Sequence, residues 1–152
     1  MARSSEGGLK MIATNRKAYH EYHIEDTIEA GIALVGSEVK SVAAGKVSLT
    51  DAYCRVENGE MWVHNMHIAP YDPAARFNHE PRRKRKLLLH KWEITRLGSK
   101  AEQKGYTLIP LKLYFRNGKV KVEIGLAKGK RKYDKREAIR QRDIERELRR
   151  GD

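Results

Sequence analysis

"LIPLKLYFRNGKVKVEIGLA", residues Leu108 to Ala127, decides how this chain folds. At its centre stands Asn117-Gly118, a dipeptide suited to a two-residue type I′ turn, in which both central residues need φ > 0. Such a loop sets Arg116 opposite Lys119. The ladder then runs Phe115/Val120, Leu113/Val122, Leu111/Ile124 and Ile109/Leu126. Every side chain in those last four pairs is apolar and falls on one face, while Tyr114/Lys121 and Lys112/Glu123 fall on the other. Turn chemistry and alternation agree, which predicts an antiparallel hairpin with a core face and a wet, partly basic outer face.

Outward from this hairpin the same signals recur. Asn58-Gly59 predicts a second hairpin, Asp51–Glu57 with Glu60–Ile68. It places Val56/Met61 and Cys54/Val63 on one face and Tyr53, Trp62 and Met66 on the other. From Tyr22 to Val35, Ile24, Ile28, Ala30, Ile32 and Leu34 point one way, and Glu25, Thr27 and Glu29 the other. "GSEVKSVAAG" reads as a short helix with Ser37 as N-cap and Gly45 just past its end. Residues 90–104 set His90, Ile94, Leu97 and Ala101 on one helical stripe, with Gly105 as the stop. The expected class is mainly β: a small closed barrel of antiparallel strands with flanking short helices and a basic C-terminal tail. An OB-type barrel is one solution among several.

A chain of 152 residues fits one domain. Its apolar residues concentrate between residues 20 and 127. This predicts a flexible N-terminal extension over 1–11, a barrel over 12–128 and a tail over 129–152. The formal net charge is +12. Lys128 to Arg150 carry eleven Lys or Arg against five Asp or Glu, so half of that charge lies in these 23 residues. A balance of this kind points to a polyanion, nucleic acid or an anionic membrane surface. No run of about 18 apolar residues is present to cross a membrane. "MARSSEGGLK" lacks the apolar segment of a secretory signal. The lone Cys54 fits a reducing compartment, and a cytoplasmic location is expected.

No catalytic constellation emerges. His20/His23 and His64/His67 are three apart, but in strands such residues point to opposite faces, and only one cysteine could assist. "GLAKGKRK" lacks the strand–loop–helix spacing of a phosphate-binding loop. The expectation is therefore a binding protein, not an enzyme, with no metal and no cofactor. A metal-dependent nuclease would need clustered carboxylates. A basic ribosomal or assembly protein would share the composition. "RRKRK", Arg82 to Lys86, adjoins the apolar Leu87–Leu89 and is expected to touch phosphate. Tyr114 beside Lys121 offers a stacking surface next to a charge, a usual route to RNA. Over residues 135–150 only Ala138, Ile139, Ile144 and Leu148 are apolar, too few to dock on a core. That segment is expected to be disordered alone and helical on a polyanion.

"NRKAYHEYHIEDTIEAGIALVGSEVKS", "RKLLLHKWEI", "GYTLIPLKLYFRNGKVKVEIGLAKGK" and "YDKREAIRQRD" resemble small protein B, the SsrA-binding family of bacteria, in the right order along nearly the whole chain. The resemblance implies an OB-type barrel that binds the tRNA-like domain of transfer-messenger RNA (tmRNA) and delivers it to stalled ribosomes for trans-translation. It implies RNA contacts by Glu29, Leu88, His90 and Lys121, with Lys128 as a further candidate. It also implies that Gly129, Lys130, Arg131, Tyr133, Asp134, Lys135 and Arg136 probe the decoding centre, and that the tail becomes helical in the messenger channel of the small subunit. Gly129 is the expected hinge, and a monomer is expected. Where Ala43 stands, many family members carry a basic residue, so any phosphate contact made there is missing here.

Overall fold

Two left-handed Asn-Gly turns and a set of paired strands organise the chain. The computed structural model describes residues 8–72, 78–103 and 105–130. Along them run β1 (Leu9–Thr14), α1 (Arg16–Glu21), β2 (Tyr22–Ile32), α2 (Gly36–Ala43), β3 (Val47–Ser48), β4 (Tyr53–Glu57), β5 (Glu60–His64), β6 (His67–Ile68), β7 (Arg85–Leu88), α3 (Lys91–Ala101), β8 (Tyr106–Arg116) and β9 (Lys119–Gly129). The fold is mainly β with three short helices among the described residues.

Asn58 and Gly59 have φ of 53° and 77°, and Asn117 and Gly118 have 52° and 78°, as type I′ turns require. Hairpin β4–β5 keeps the expected register, with Val56 opposite Met61 and Cys54 opposite Val63. All strand pairs are antiparallel. β8 pairs with β1, β4 and β9; β4 with β5; β5 with β7; β7 with β2; and β2 with β9. Followed in that order, the pairings that leave β8 through β4 return to it through β9. β3 and β6 form a separate two-stranded ribbon.

Hairpin β8–β9 keeps the expected register only from its turn to Lys112/Glu123. The next pair is Pro110/Ile124, so Leu111 is an extra residue with no partner opposite. The expected pairs Leu111/Ile124 and Ile109/Leu126 do not form, and the eight apolar side chains do not share one face. A β-bulge switches faces because side chains alternate with period two. Leu108, Leu113, Val122, Ile124 and Leu126 enter the main core, while Ile109 and Leu111 join Ala18 and Ala127 in a second, small core. β2 has a matching bulge between Ile24 and Asp26. Ile24 therefore packs on the small core, and Ile28, Ala30 and Ile32 pack on the main one. Gly125 of β9 lies opposite both displaced segments. A Cβ there would sit 2.5 Å from Leu111 Cδ1 and 3.2 Å from Ile24 Cγ2, so glycine leaves the space that Leu111 fills.

Asn15 fills the gap beside the bulge, where Pro110 has no N–H to give. Its side-chain amide donates to Leu49 O (3.1 Å) and Pro110 O (3.0 Å), and its Oδ1 accepts from Ala18 N–H (3.1 Å) to cap α1. α1 contains His20, which therefore does not stand in a strand.

Other boundaries differ from expectation too: the second strand of hairpin β4–β5 ends at His64, and His67–Ile68 pair with β3 instead. The folded part starts before residue 12, because Leu9–Met11 already pair with β8. α2 is capped at Val35 and not at Ser37: the Glu38 carboxylate accepts from Val35 N–H at 2.9 Å. α3 begins after His90 and ends at Ala101, short of residue 104.

Candidate nucleic-acid interface

Strand register brings four distant parts of the sequence to one surface. On the outer face Tyr114 lies opposite Lys121, Lys121 opposite Gly31, and Gly31 opposite Leu88. Gly31 has no side chain, and a Cβ there would sit 3.3 Å from Leu88 Cβ, so Leu88 lies over β2. In the neighbouring row Lys112 faces Glu123, and Glu123 faces Glu29. β7 then leads through Leu89 to His90, the N-cap of α3, whose N–H donates to Glu93 Oε1 at 2.8 Å. Glu29, Leu88, His90 and Lys121 together line one open groove of about 840 Å³, with Lys86 and Lys91 on its walls.

The carboxylate of Glu29 is already engaged. Tyr114 donates its hydroxyl to Oε1 at 2.6 Å, and Arg116 Nε donates to the same oxygen at 2.9 Å. Partial burial works to raise the pKa of this carboxyl. The bonds from Tyr114 and Arg116 and the charges of Arg116 and Lys121 outweigh it, so the group lies below the usual carboxylate range. Tyr114 is raised in turn, by burial and by the bond to Glu29. No hydrogen bond holds the Lys121 ammonium among the described residues, which leaves it available to a phosphate.

Tyr114 itself is 4% exposed and buttresses Glu29 from within. It is not the stacking surface that its register position suggested. The residue the sequence reading missed is Arg116. It ends β8 and reaches diagonally to Glu29, a contact visible only once β2 is paired with β9.

The five-residue cationic run also behaves differently from expectation. Arg85 is fully buried. Its Nε donates to Glu38 Oε2 at 2.5 Å, its Nη1 to Met66 O at 2.7 Å and its Nη2 to Pro81 O at 3.1 Å. Arg83 bonds the same carboxylate at 2.6 and 2.9 Å. Burial works to raise the Glu38 pKa, but Arg83, the Val35 N–H and Arg85 together hold it below the usual range. Lys84 bonds Glu57 at 2.9 Å, Lys86 pairs with Glu60, and Arg82 donates to Asn65 Oδ1 at 2.9 Å. Each of the five thus has an internal partner, and only Lys86 lines the groove.

Lys128 stands apart from this groove. It is seven positions along β9 from Lys121, about 23 Å at roughly 3.3 Å per residue, and its ammonium lies 5.0 Å from the Tyr106 ring centroid. Gly129 closes β9 opposite Tyr22, and Lys130 Nζ donates to Tyr19 O at 3.4 Å. Arg131, Tyr133, Asp134, Lys135 and Arg136 lie outside the described residues. Ala43 is exposed at the end of α2. His64 Nε2 meets Glu57 Oε2 at 2.7 Å, and its ring stacks on Tyr53. Among the described residues no cluster of three or more His, Cys, Asp or Glu could hold a metal ion, and no helix is long and apolar enough to cross a membrane.

A small basic β protein with an open groove lined by lysines, a histidine, an exposed leucine and a hydrogen-bonded carboxylate has the surface chemistry that suits a polyanion. Comparison with known proteins places it more narrowly. The SmpB protein family matches residues 12–151. The SsrA-binding protein of Caldicellulosiruptor bescii is 60% identical over 147 residues, 97% of this chain and 93% of that protein. That of Bacillus cereus is 54% identical over 146 residues, 96% and 94% of the two chains. A chain of the solved structure "tmRNA-SmpB: a journey to the center of the bacterial ribosome" is 55% identical, with a TM-score of 0.69 over 80% of this chain and 85% of that one. The chain belongs to the SmpB family.

Proposed function

We propose that this protein is an RNA-binding adaptor that binds the tRNA-like domain of tmRNA and carries it to stalled ribosomes for trans-translation. The observation that carries this reading is the convergence of Glu29, Leu88, His90 and Lys121 on one groove. Lys121 meets a phosphate. His90 hydrogen-bonds a base or ribose, and Leu88 packs against a sugar or base face. Glu29 acts chiefly as a positioning residue: it holds Arg116 at the groove's edge while keeping an acceptor for a 2′-OH or a base amino group. Lys128 contacts RNA at a separate point along β9. The return of the strand pairings to β8 supports an OB-type closed barrel. The adaptor acts as a cytoplasmic monomer without a catalytic step or cofactor.

For the tail, residues 129–152, we infer entry into the empty messenger channel, with the segment from Gly129 to Arg136 at the decoding centre. The support is its charge surplus and its family match. Truncation after Lys128 is expected to leave tmRNA affinity unchanged and to abolish rescue in a stalled translation reaction. Full rescue by the truncated protein would discard this assignment.

The groove is tested by titrating purified protein with tmRNA and with an ordinary tRNA across a salt series. Tighter binding to tmRNA that persists as salt rises is expected for recognition by shape and hydrogen bonding. Equal, steeply salt-dependent binding to both RNAs would favour a generic basic ribosomal protein instead.

A further inference from the structure

Two large apolar side chains stand uncovered, one in the groove and one beside it. Trp92 is 64% exposed and Leu88 51%, the highest values among the large hydrophobic residues described. Leu88 belongs to the groove. Trp92 lies just beyond it, as the second residue of α3. It plays no part in docking that helix, which packs inward through Ile94 and Leu97. Its indole is nearly parallel to the His90 imidazole, with centroids 6.5 Å apart and planes 8° from one another. One turn further along α3 the guanidinium carbon of Arg96 lies 6.0 Å from the indole centroid, the outer limit of a cation–π contact. Arg96 also lies 3.7 Å from Asp26, a loose and exposed pair. Leu88, His90, Trp92 and Arg96 thus form a strip that continues the groove.

We propose that Trp92 is a base-stacking residue. Its indole, aligned with the His90 ring, receives an unpaired base of the RNA held in the groove, and Arg96 turns to the phosphate beside that base. The inference rests on the RNA-binding reading above and adds a contact to it. An RNA base is favoured as occupant because cations attend the strip: Arg96 lies by the indole, and Lys91 and Lys121 line the groove with Leu88 and His90. Flat aromatic surfaces beside cations are how single-stranded nucleotides are held. A large aromatic side chain left in water gives up the burial that normally stabilises it. That loss is recovered if a base covers the ring.

The chain has two tryptophans, so Trp62→Phe leaves Trp92 as the sole indole emitter. Titration of that variant with tmRNA is expected to quench its emission, saturating together with binding. Trp92→Ala is expected to bind tmRNA roughly tenfold more weakly with an unchanged salt slope, and Trp92→Phe to restore most of the affinity. Circular dichroism and melting of each variant should match the parent, since the side chain is exposed. Parent-like affinity of Trp92→Ala, alongside lost binding by Lys121→Glu, overturns the stacking role and leaves the groove reading intact. Parent-like binding by both variants overturns both. A weaker Trp92→Ala complex with a shallower salt slope assigns the effect to Arg96 charge and also overturns stacking. So does unchanged RNA affinity with lost binding to ribosomes, which would give the strip to a different partner.

Discussion

Arg83 and Arg85 lie next to each other in sequence with Lys84 and Lys86, yet the two arginines and the groove lysine Lys121 live in opposite physical situations. Both arginines converge on the buried carboxylate of Glu38, and Arg85 also donates to the carbonyls of Met66 and Pro81. Lys121 has only Lys119 as a cationic neighbour in its stretch of β9, yet register delivers it into a groove shared with Glu29, Leu88 and His90. Density of charge along the chain therefore says little about charge available to a partner. A run of cations needs counter-charges to coexist in a fold, and here Glu38, Glu57 and Glu60 supply them. A single lysine with no hydrogen-bonded partner keeps its full capacity for phosphate.

That contrast can be broken most forcefully at Arg85. Removing one member of a buried ion pair costs about 3–5 kcal/mol where it strands the other; here Arg83 still bonds Glu38, so the cost is expected toward the lower end of that range. Arg85→Ala is expected to lower the urea midpoint by a corresponding amount and to reduce RNA binding only through loss of the fold. Replacing both partners, Glu38→Met with Arg85→Met, should recover much of the stability, because well-packed apolar groups often substitute for such a pair. A stable Arg85→Ala protein with lost tmRNA affinity would reverse the roles given to the two regions.

Lys121→Glu should do the converse. We expect tmRNA affinity to fall by about tenfold or more at moderate salt, with a melting temperature close to the parent's, since both the contact and the repulsion arise at an outer face. An unchanged affinity would count against this face of the sheet.

Acid titration probes the link between the two. The Glu29 pKa is depressed in the folded state, so its contribution to stability is complete above the unfolded-state value of about 4.3. It is lost as pH falls through the lower folded value. The group is 36% exposed, so the effect is modest. Glu29→Gln should flatten part of the acid limb of a pH–stability curve and release Arg116. An identical acid limb would show that the bonds from Tyr114 and Arg116 do not stabilise the fold. The smallest effect is expected at Lys84. Its pair with Glu57 is half exposed, so Lys84→Ala should shift stability by under about 1 kcal/mol and leave the tmRNA titration unaltered.

Legibility in the sequence follows the range of the interaction. The two Asn-Gly turns and the register next to them were readable because a turn fixes its own neighbours. The reading failed at Leu111, six residues before the loop's first residue Asn117, because a bulge leaves the apolar pattern intact while exchanging its faces. Pro110, poorly suited to a central strand, was the signal that could have exposed it. Lys121 was legible as an outward lysine. Its neighbours Leu88, His90 and Glu29 were reached through family resemblance, since no local rule links β2, β7 and β9. Tyr114 was placed on the correct face but with the wrong exposure, because Glu29 and Arg116 close over it. Trp92 lies within the stretch RKLLLHKWEI, but no local rule singled it out, and only its exposure in the fold gave it meaning.

The sequence by itself pointed to a polyanionic partner, through net charge, and determined the hairpins, through turns whose φ > 0 requirement Asn-Gly meets locally. It also carried the family, through motifs spread over nearly its whole length. Tertiary structure alone decided which cations are spent and which are free, because only pairing of distant strands sets Glu38 against Arg85 and Gly31 beneath Leu88. Ion pairing and packing depend on separations in space, and those are settled when the sheet assembles.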